Sequence, residues 1–580
     1  MLLTGLVEAC TDTKEEQMDK PVIYQVFTRL FGNDKCVNIK NGDRSQNGCG
    51  TMADFTPRAL KEIKELGITH IWYTGIIEHA TQTDYSAYGI ARDHHAVVKG
   101  KAGSAYAIKD YYDVDPDLAQ CVPARMKEFE ALVKRTHDAG LKVIIDFVPN
   151  HVARQYHSDA CPEGTEDLGA ADDTTKHFSP RNNFYYFPGE ALHADFDLQQ
   201  DEAQPYHEQP ARATGNDVFS SFARHDDWYE TVKLNYGVDY TGGRTTHFDP
   251  VPSTWTKMVD ILKFWANKGV DGFRCDMAEM VPAEFWGWSI PQVKADHSNV
   301  IFIAEIYGPD AYRRYIHEGH FDFLYDKVGL YDTLRAVTCG NASAESITSC
   351  WQAVDDIRPH MLSFLENHDE QRIASEFFAG SAEKGFAPMI VAATFSTGPV
   401  MIYFGQELGE RGMDDEGFSG RDGRTTIFDY WSVNTISRWR NNSHFDGRKL
   451  TPEETEYRDF YKKLLNLCIT ENALKYGEFY DLMYVNPSSA SFNPHKQYAY
   501  LRHYNRDVML IVVNFDDKPA SVDINIPEHA FKHYHMNTRM KIRATDMLTG
   551  QSVATSFSHE KPSHIELPAN GGVILKFRTR

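Results

Sequence analysis

From about residue 20 the apolar positions repeat one unit: a helix striped every three or four residues, a glycine, then a short, nearly continuous apolar strand with polar residues at its C-terminal end. The unit is plain three times. Thr56 and Pro57 open a helix with Leu60, Ile63 and Leu66 on one face, Gly67 closes it, and ITHIWYTG (68–75) follows. Met126, Phe129 and Val133 stripe the helix before Gly140 and LKVIIDFVPNH (141–151). Trp255, Met258, Val259, Leu262 and Trp265 do the same before Gly269 and VDGFRCD (270–276). Strands apolar on both faces and separated by helices predict a parallel sheet covered on both sides. Five further strands fit the series: 22–31, 300–308, 321–326, 361–369 and 400–407. Eight strand-plus-helix units predict an α/β fold of the closed (β/α)8 barrel (TIM) type rather than an open doubly wound sheet. No GxGxxG or Walker loop supports nucleotide binding.

Two stretches break the pattern. Between His151 and the helix near Trp255 lie far more residues than the roughly 2–6 of an ordinary strand-to-helix loop, so an inserted domain over 152–250 is expected. Beyond 476, QYAYLRHY, VMLIVVNF, SVDINI, MKIRATDML and GVILKF alternate or run apolar between turns, which predicts a C-terminal antiparallel β-sandwich over 476–580. The barrel then occupies 20–151 and 251–475, and 1–19 stands apart as a leader-like or disordered segment.

With 580 residues, the chain is long enough for these three units. Its net charge of −22 disfavours a surface built to neutralise nucleic-acid phosphates or anionic lipid, so a neutral partner is expected. Aromatic residues make up 13%, more rings than a core alone needs and enough to stack a few against sugar. No run of 18 apolar residues suggests a transmembrane helix. Nine cysteines without a CxxC pair indicate neither a zinc ribbon nor a dense disulfide scaffold, leaving short-loop bridges Cys36–Cys49 and Cys339–Cys350 as options in an oxidising compartment. Ala9 and Cys10, after MLLTGLVE and before a polar tether, resemble a bacterial lipoprotein cleavage site, although Glu8 departs from that pattern. A lipid anchor at Cys10 and a periplasmic or membrane-anchored location stand beside a plain cytoplasmic chain.

In a barrel of this type the working residues sit at the C-terminal ends of the strands. The third strand ends in Asp146, Asn150 and His151, the fourth in Arg274 and Asp276, the fifth in Glu305, and the seventh in Glu366, Asn367, His368 and Asp369. Arg274 and Asp276, two apart on a strand, share the inner face, while Cys275 points to the helices. Asp276, Glu305 and Asp369 then converge from three strands, and three carboxyl groups in one pocket cannot all remain ionised. One acid and one carboxylate side by side suit displacement at an acetal carbon.

The segments DFVPNH, GFRCD, AEIYG and ENHD, in this order, with MIYFGQELG and AYAIKDYYDVDP, resemble the conserved regions of the α-amylase family, glycoside hydrolase family 13, and the resemblance spans about 20 to 580. It implies a retaining hydrolase acting on α-1,4 and in some members α-1,6 glucosidic bonds of starch-type glucans or maltooligosaccharides. By position, Asp276 is the expected nucleophile, Glu305 the general acid/base and Asp369 the group that clamps sugar hydroxyls. Arg274 would hold Asp276 ionised. His151 and His368 would bond hydroxyls of the sugar at the cleaved bond, Tyr106 would stack beneath it, and Arg372 would form either a ligand contact or an ion pair of the barrel.

Departures from the family pattern carry information. VKLN (232–235) puts Lys233 where calcium-dependent members have an aspartate, so an ammonium is expected beside Asn150 in place of Ca2+. The oxygen-rich loop Asn38 to Asn47 is either plain polar surface or a second place for Ca2+. Glu279 and Met280 stand where many members have Lys-His, and Ala107 where many have Asp, which leaves the acceptor side of the cleft unassigned. An α-glucan transglycosylase of the same family and a non-catalytic glucan-binding relative are the alternatives; the second usually lacks part of the carboxylate trio, all present here.

Overall fold

The computed structural model describes residues 19–536 and 540–578. Cys10, the candidate acylation site, lies outside the described residues.

The eight expected strands form one parallel sheet: β1 (Val22–Phe27), β2 (His70–Thr74), β3 (Lys142–Phe147), β4 (Gly272–Cys275), β5 (Ile301–Ala304), β6 (Phe323–Tyr325), β7 (Met361–Leu362) and β8 (Val400–Tyr403). Neighbours follow chain order, and β8 returns beside β1 with Val22 opposite Val400. The ring closes between β7 and β8, where Ser363 pairs with Val400, its N–H donating to Pro399 O at 3.0 Å and its carbonyl accepting from Met401 N at 2.9 Å.

Period-two alternation sorts each strand's side chains between two cores. Ile23, Trp72, Ile144, Ile303, Phe323, Leu362 and Met401 fill the barrel interior as a cluster separate from the large core between strands and helices. One step towards the C-terminal ends the inward positions turn polar: Gln25, Thr74, Asp146 and Arg274 are all buried there. That polar layer is the floor of the candidate site.

The helices form for the reasons read above. Thr56 Oγ1 accepts from Ala59 N at 3.2 Å and caps the helix Pro57–Glu65, which buries Leu60 and Ile63. Gly67 then turns with φ +99°, and a Cβ there would lie 2.7 Å from the backbone of Leu465 and Asn466, so both its conformation and its space require glycine.

The chain between β3 and the helix Ser253–Asn267 contains only two- and three-residue strands, among them His151–Ala153 paired antiparallel with Thr231–Lys233. With little apolar periodicity, it packs a small cluster of Leu192, Ala211, Ala223 and Tyr229 beside buried charge. Glu208 is gripped by Arg154 Nη1 at 2.9 Å and Arg212 Nη2 at 2.9 Å. Beyond residue 477 a six-stranded antiparallel sheet (Glu478–Asp481, Gln497–Tyr504, Asp507–Asn514, Gly571–Arg578, Met540–Asp546, Ser552–Phe557, in spatial order) accompanies a two-stranded one (Ala520–Ile524 with Ser563–Leu567). It docks on the barrel through Arg502, which donates to Thr394 O at 3.0 Å, and through Tyr500 and Thr394, whose hydroxyls meet at 2.5 Å.

All eight described cysteines are free thiols, which corrects the two disulfide options. Cys350 Sγ is turned to Thr333 Oγ1 at 3.2 Å and Cys339 Sγ to Phe378 O at 3.2 Å, while Cys49 Sγ faces Gly50 O at 3.3 Å. Among the described residues, no helix is long and apolar enough to cross a membrane.

Candidate functional site

A cleft of about 370 Å³ opens over the C-terminal ends of the barrel strands, lined by Asp276, Glu305 and Asp369 together with Tyr106, His151 and His368. Beneath the carboxyl groups lies Arg274, fully buried on β4. Arg274 Nη1 donates to Asp276 Oδ1 at 2.6 Å, Nη2 lies 2.8 Å from Glu305 Oε2, and Nε donates to Tyr325 Oη at 3.2 Å. The rings of Trp72, Tyr106 and Tyr325 enclose the guanidinium at 5.3–5.6 Å, shielding it from water while leaving its edge to the carboxylates. A planar fork with fixed donors can hold two carboxylates at defined positions where a lysine could not.

Burial raises the pKa of all three carboxyl groups, and Arg274 opposes the rise in each. Asp276 receives the strongest opposition, a direct charge-assisted hydrogen bond. Asp369 does not touch the guanidinium and faces the charge of Glu305, so burial and that neighbour push it to about 8. Burial and the neighbouring Glu305 therefore favour a proton on Asp369, whereas Arg274 works to keep Asp276 ionised.

Glu305 is further fixed by two residues that the motif reading left unassigned. Tyr307 Oη donates to Glu305 Oε1 at 2.6 Å, and Met277 N donates to Oε2 at 2.7 Å. Tyr307 sits two residues after Glu305 and so returns to the same side of the extended chain; that spacing in AEIYG was the available sign. Asp146 was also unassigned. It accepts from Trp72 Nε1 at 2.8 Å, lies 3.4 Å from Arg274 Nη1, and is pushed by burial to about 7.

The two histidines are neutral. Burial lowers His151 to about 3, with Lys233 adding to the fall, and lowers His368 well below its ordinary value, with Arg274 adding. His151 Nε2 stands 4.0 Å from Asp276 Oδ2, and His368 Nε2 3.1 Å from Asp369 Oδ2. The Tyr106 ring is 4.9 Å from that of His368 and nearly parallel to it, forming a flat wall of the cleft. Trp228, contributed by the insertion, faces His151 from the other side and was not foreseen.

Arg372 is not brought to the cleft. It is completely buried, paired with Glu366 at 2.9 Å, bonded to Thr425 Oγ1 at 2.9 Å and seated 4.1 Å over the Tyr403 ring, so of the two readings offered for it the structure places it in a barrel ion pair.

Lys233 Nζ is buried beside Asn150, donating to Asn150 Oδ1, lying 2.6 Å from Asp217 Oδ1 and reaching Met280 O at 3.3 Å, so an ammonium sits among oxygens from β3, the insertion and the segment after β4. In the loop Asn38 to Asn47, the other place offered for Ca2+, several side-chain oxygens are hydrogen-bonded to the protein. Asn38 exchanges hydrogen bonds with the Ser432 backbone at 2.8 and 2.9 Å, and Asn47 Oδ1 already accepts from Ile39 N at 2.9 Å. Asp43 Oδ1 is spent on Gln46 N and Ser45 Oγ. These bonds pin the loop to the neighbouring backbone. A separate acidic group, Glu78, Asp113 and Asp159, brings carboxylate oxygens within 4.8 Å of one another.

Comparison with known proteins agrees with this geometry. A sequence profile of the α-amylase catalytic domain matches residues 25–459. The α-amylase MalA of Haloarcula japonica is 25% identical over 401 residues, covering 68% of this chain but only 45% of that protein, so the match spans less than half of that relative. Neopullulanase 2 of Thermoactinomyces vulgaris is 21% identical over 596 residues, 98% of this chain and 79% of that one. In structure, the α-amylase of Geobacillus thermoleovorans, solved with acarbose, superimposes with a TM-score of 0.61 at 20% identity, covering 97% of this chain and 98% of its own.

Proposed function

The chain belongs to the α-amylase family of glycoside hydrolases, and from that premise we propose that it cleaves α-glucosidic bonds of starch-type glucans or maltooligosaccharides with retention of configuration. One observation carries the reading: Arg274 holds Asp276 and Glu305 on two arms of a single guanidinium in a cleft that Asp369 faces.

The geometry suits a two-step displacement. Asp276, kept charged by Arg274, attacks the anomeric carbon as Glu305 gives its proton to the departing glycosidic oxygen; the C–O bond to the leaving sugar breaks and an ester to Asp276 forms. Glu305, now a carboxylate, takes a proton from water, and the resulting hydroxide displaces Asp276. Asp369 lies where it meets two hydroxyls of the bound sugar, and its stored proton gives that ring a donor as well as an acceptor. His151 and His368 meet Asn150 Nδ2 at 3.1 Å and Gln25 Nε2 at 2.8 Å through Nδ1, which leaves Nε2 of each to the sugar hydroxyls, and Tyr106 supplies the flat apolar face a pyranose packs on.

Lys233 fills the position between barrel and insertion with its own positive charge, and we propose that no Ca2+ is needed there. Glu279 Oε2 accepts from Tyr307 N at 3.1 Å and Gly308 N at 3.0 Å, a backbone clamp that commits this oxygen next to Glu305. A panel of starch, pullulan, cyclodextrin, maltose and trehalose with product analysis tests the substrate class: α-1,4 products from starch support it, and turnover of trehalose alone would overturn it. Products longer than maltoheptaose from maltoheptaose would place sugar, rather than water, as the principal acceptor. Acylation at Cys10 and an extracytoplasmic location remain our proposal from the sequence, tested by labelling cells with a tagged fatty acid.

A further inference from the structure

The loop after β2 carries acids that the cleft does not use. Glu78, on the short strand Ile77–His79, lies opposite Asp110 on the strand Ile108–Val114, and its carboxylate comes within 4.8 Å of those of Asp113 and Asp159. The surrounding charges are largely spent. Asp110 accepts from Ser158 Oγ at 2.7 Å and from the amides of Asp159 and Ala160; Asp113 takes Val114 N at 2.7 Å and pairs with Arg125. Lys109, the nearby ammonium, is committed to Asp93 at 2.9 Å and to Ala91 O.

Glu78 is different. It is 1% exposed and its Oε2 has no hydrogen-bond partner. Ionised, that oxygen lacks a donor; protonated, it lacks an acceptor; either state is costly inside a protein. The group it faces is a set of carboxylates with one guanidinium among them, so what the protein leaves missing is positive charge.

We propose that Glu78, Asp113 and Asp159 hold a Ca2+ ion. The donors are all hard oxygens, without the histidine or cysteine that zinc or copper would favour. Two oxygens opposite each other across Ca2+, with bonds of about 2.4 Å, stand about 4.8 Å apart, so the ligands can close on the ion with little movement. Asp159 is exposed, which leaves room for water to complete the coordination. The ion would join the strand pair on either side of Tyr106 in the chain to the start of the insertion, a few residues beyond His151, and so brace one wall of the cleft.

The experiment uses the full chain stripped with EDTA and titrated with CaCl2 by calorimetry, with thermal melts alongside. Wild type binds Ca2+ and its Tm rises; Glu78→Gln and Asp159→Asn each weaken binding at least about tenfold. Absence of both binding heat and Tm change in wild type at millimolar CaCl2 overturns the proposal, as does wild-type affinity in both variants. Should Glu78→Gln fail to fold, Asp159→Asn, at the surface, decides alone. The readout is binding, so it stands or falls separately from the assigned reaction.

Discussion

Replacing Lys233 by methionine isolates what its ammonium does, because an unbranched apolar stem stays in place while the charge and its N–H donors are lost. Lys233 is 1% exposed and its Nζ serves Asn150 Oδ1, Asp217 Oδ1 and Met280 O. Removing one member of a buried ion pair costs about 3–5 kcal/mol. Asp217 is 31% open and recovers part of that by hydration, which brings the expected loss to about 2–3 kcal/mol. For a unit the size of the barrel and its insertion this lowers Tm by roughly 2–3 °C. The three oxygens left behind form the donor set a hard cation takes. Lys233→Met should therefore gain a Ca2+ site that wild type lacks. Millimolar CaCl2 should close most of the Tm gap and restore whatever kcat/KM is lost through Asn150 and its neighbour His151. Differential scanning calorimetry of both proteins, with and without CaCl2, reads this directly. A variant melting within about 1 °C of wild type, or one given the same increment by Ca2+ as wild type, would refute the reasoning.

Tyr307→Phe removes the hydroxyl that donates to Glu305 Oε1. That bond lowers the Glu305 pKa, so its loss should raise it, moving the alkaline limb of kcat/KM upward and lowering kcat about tenfold; superimposable pH profiles would show that the contact is idle. Asp369→Asn probes the stored proton. Asp369 titrates near 8 when folded against an ordinary 3.8, so the native state binds the extra proton between those values, and wild type loses stability relative to the variant as pH rises through that window. The variant should melt later than wild type at pH 9 and alike near pH 3. Because the side chain is 41% open to the cleft, solvent screening keeps the gap near 1 kcal/mol. A gap that grows as pH falls would reverse the assignment.

The barrel was legible because its strands are buried on both faces and each is preceded by a glycine-ended helix, a pattern local enough to read residue by residue. Even β7, reduced to Met361 and Leu362, is marked by the polar run that follows it. The insertion was not legible: its order comes from scattered apolar residues such as Leu192, Ala211 and Tyr229 and from buried pairs such as Arg154 with Glu208, whose partners lie 54 residues apart and leave no periodic trace. The same division holds in the cleft. Residues belonging to strand-end motifs were found, whereas Trp228 and Gln25, which meets His368 Nδ1 at 2.8 Å, arrive from elsewhere in the chain. Composition misled where it was read without partners. The oxygens of Asn38 and Asn47 are consumed by backbone amides, and the charge of Arg372 by Glu366. The unsatisfied acid, Glu78, lay in a segment whose sequence gives no warning of it.

The central claim is that Asp276 attacks the sugar while Glu305 handles the proton. Incubating Glu305→Gln with α-maltosyl fluoride, whose leaving group needs no acid, should let the first step proceed and stall the second. Peptide mapping by mass spectrometry should then find one maltosyl group esterified to Asp276. Label on any other residue, or rapid release of β-maltose with no adduct, would contradict the account.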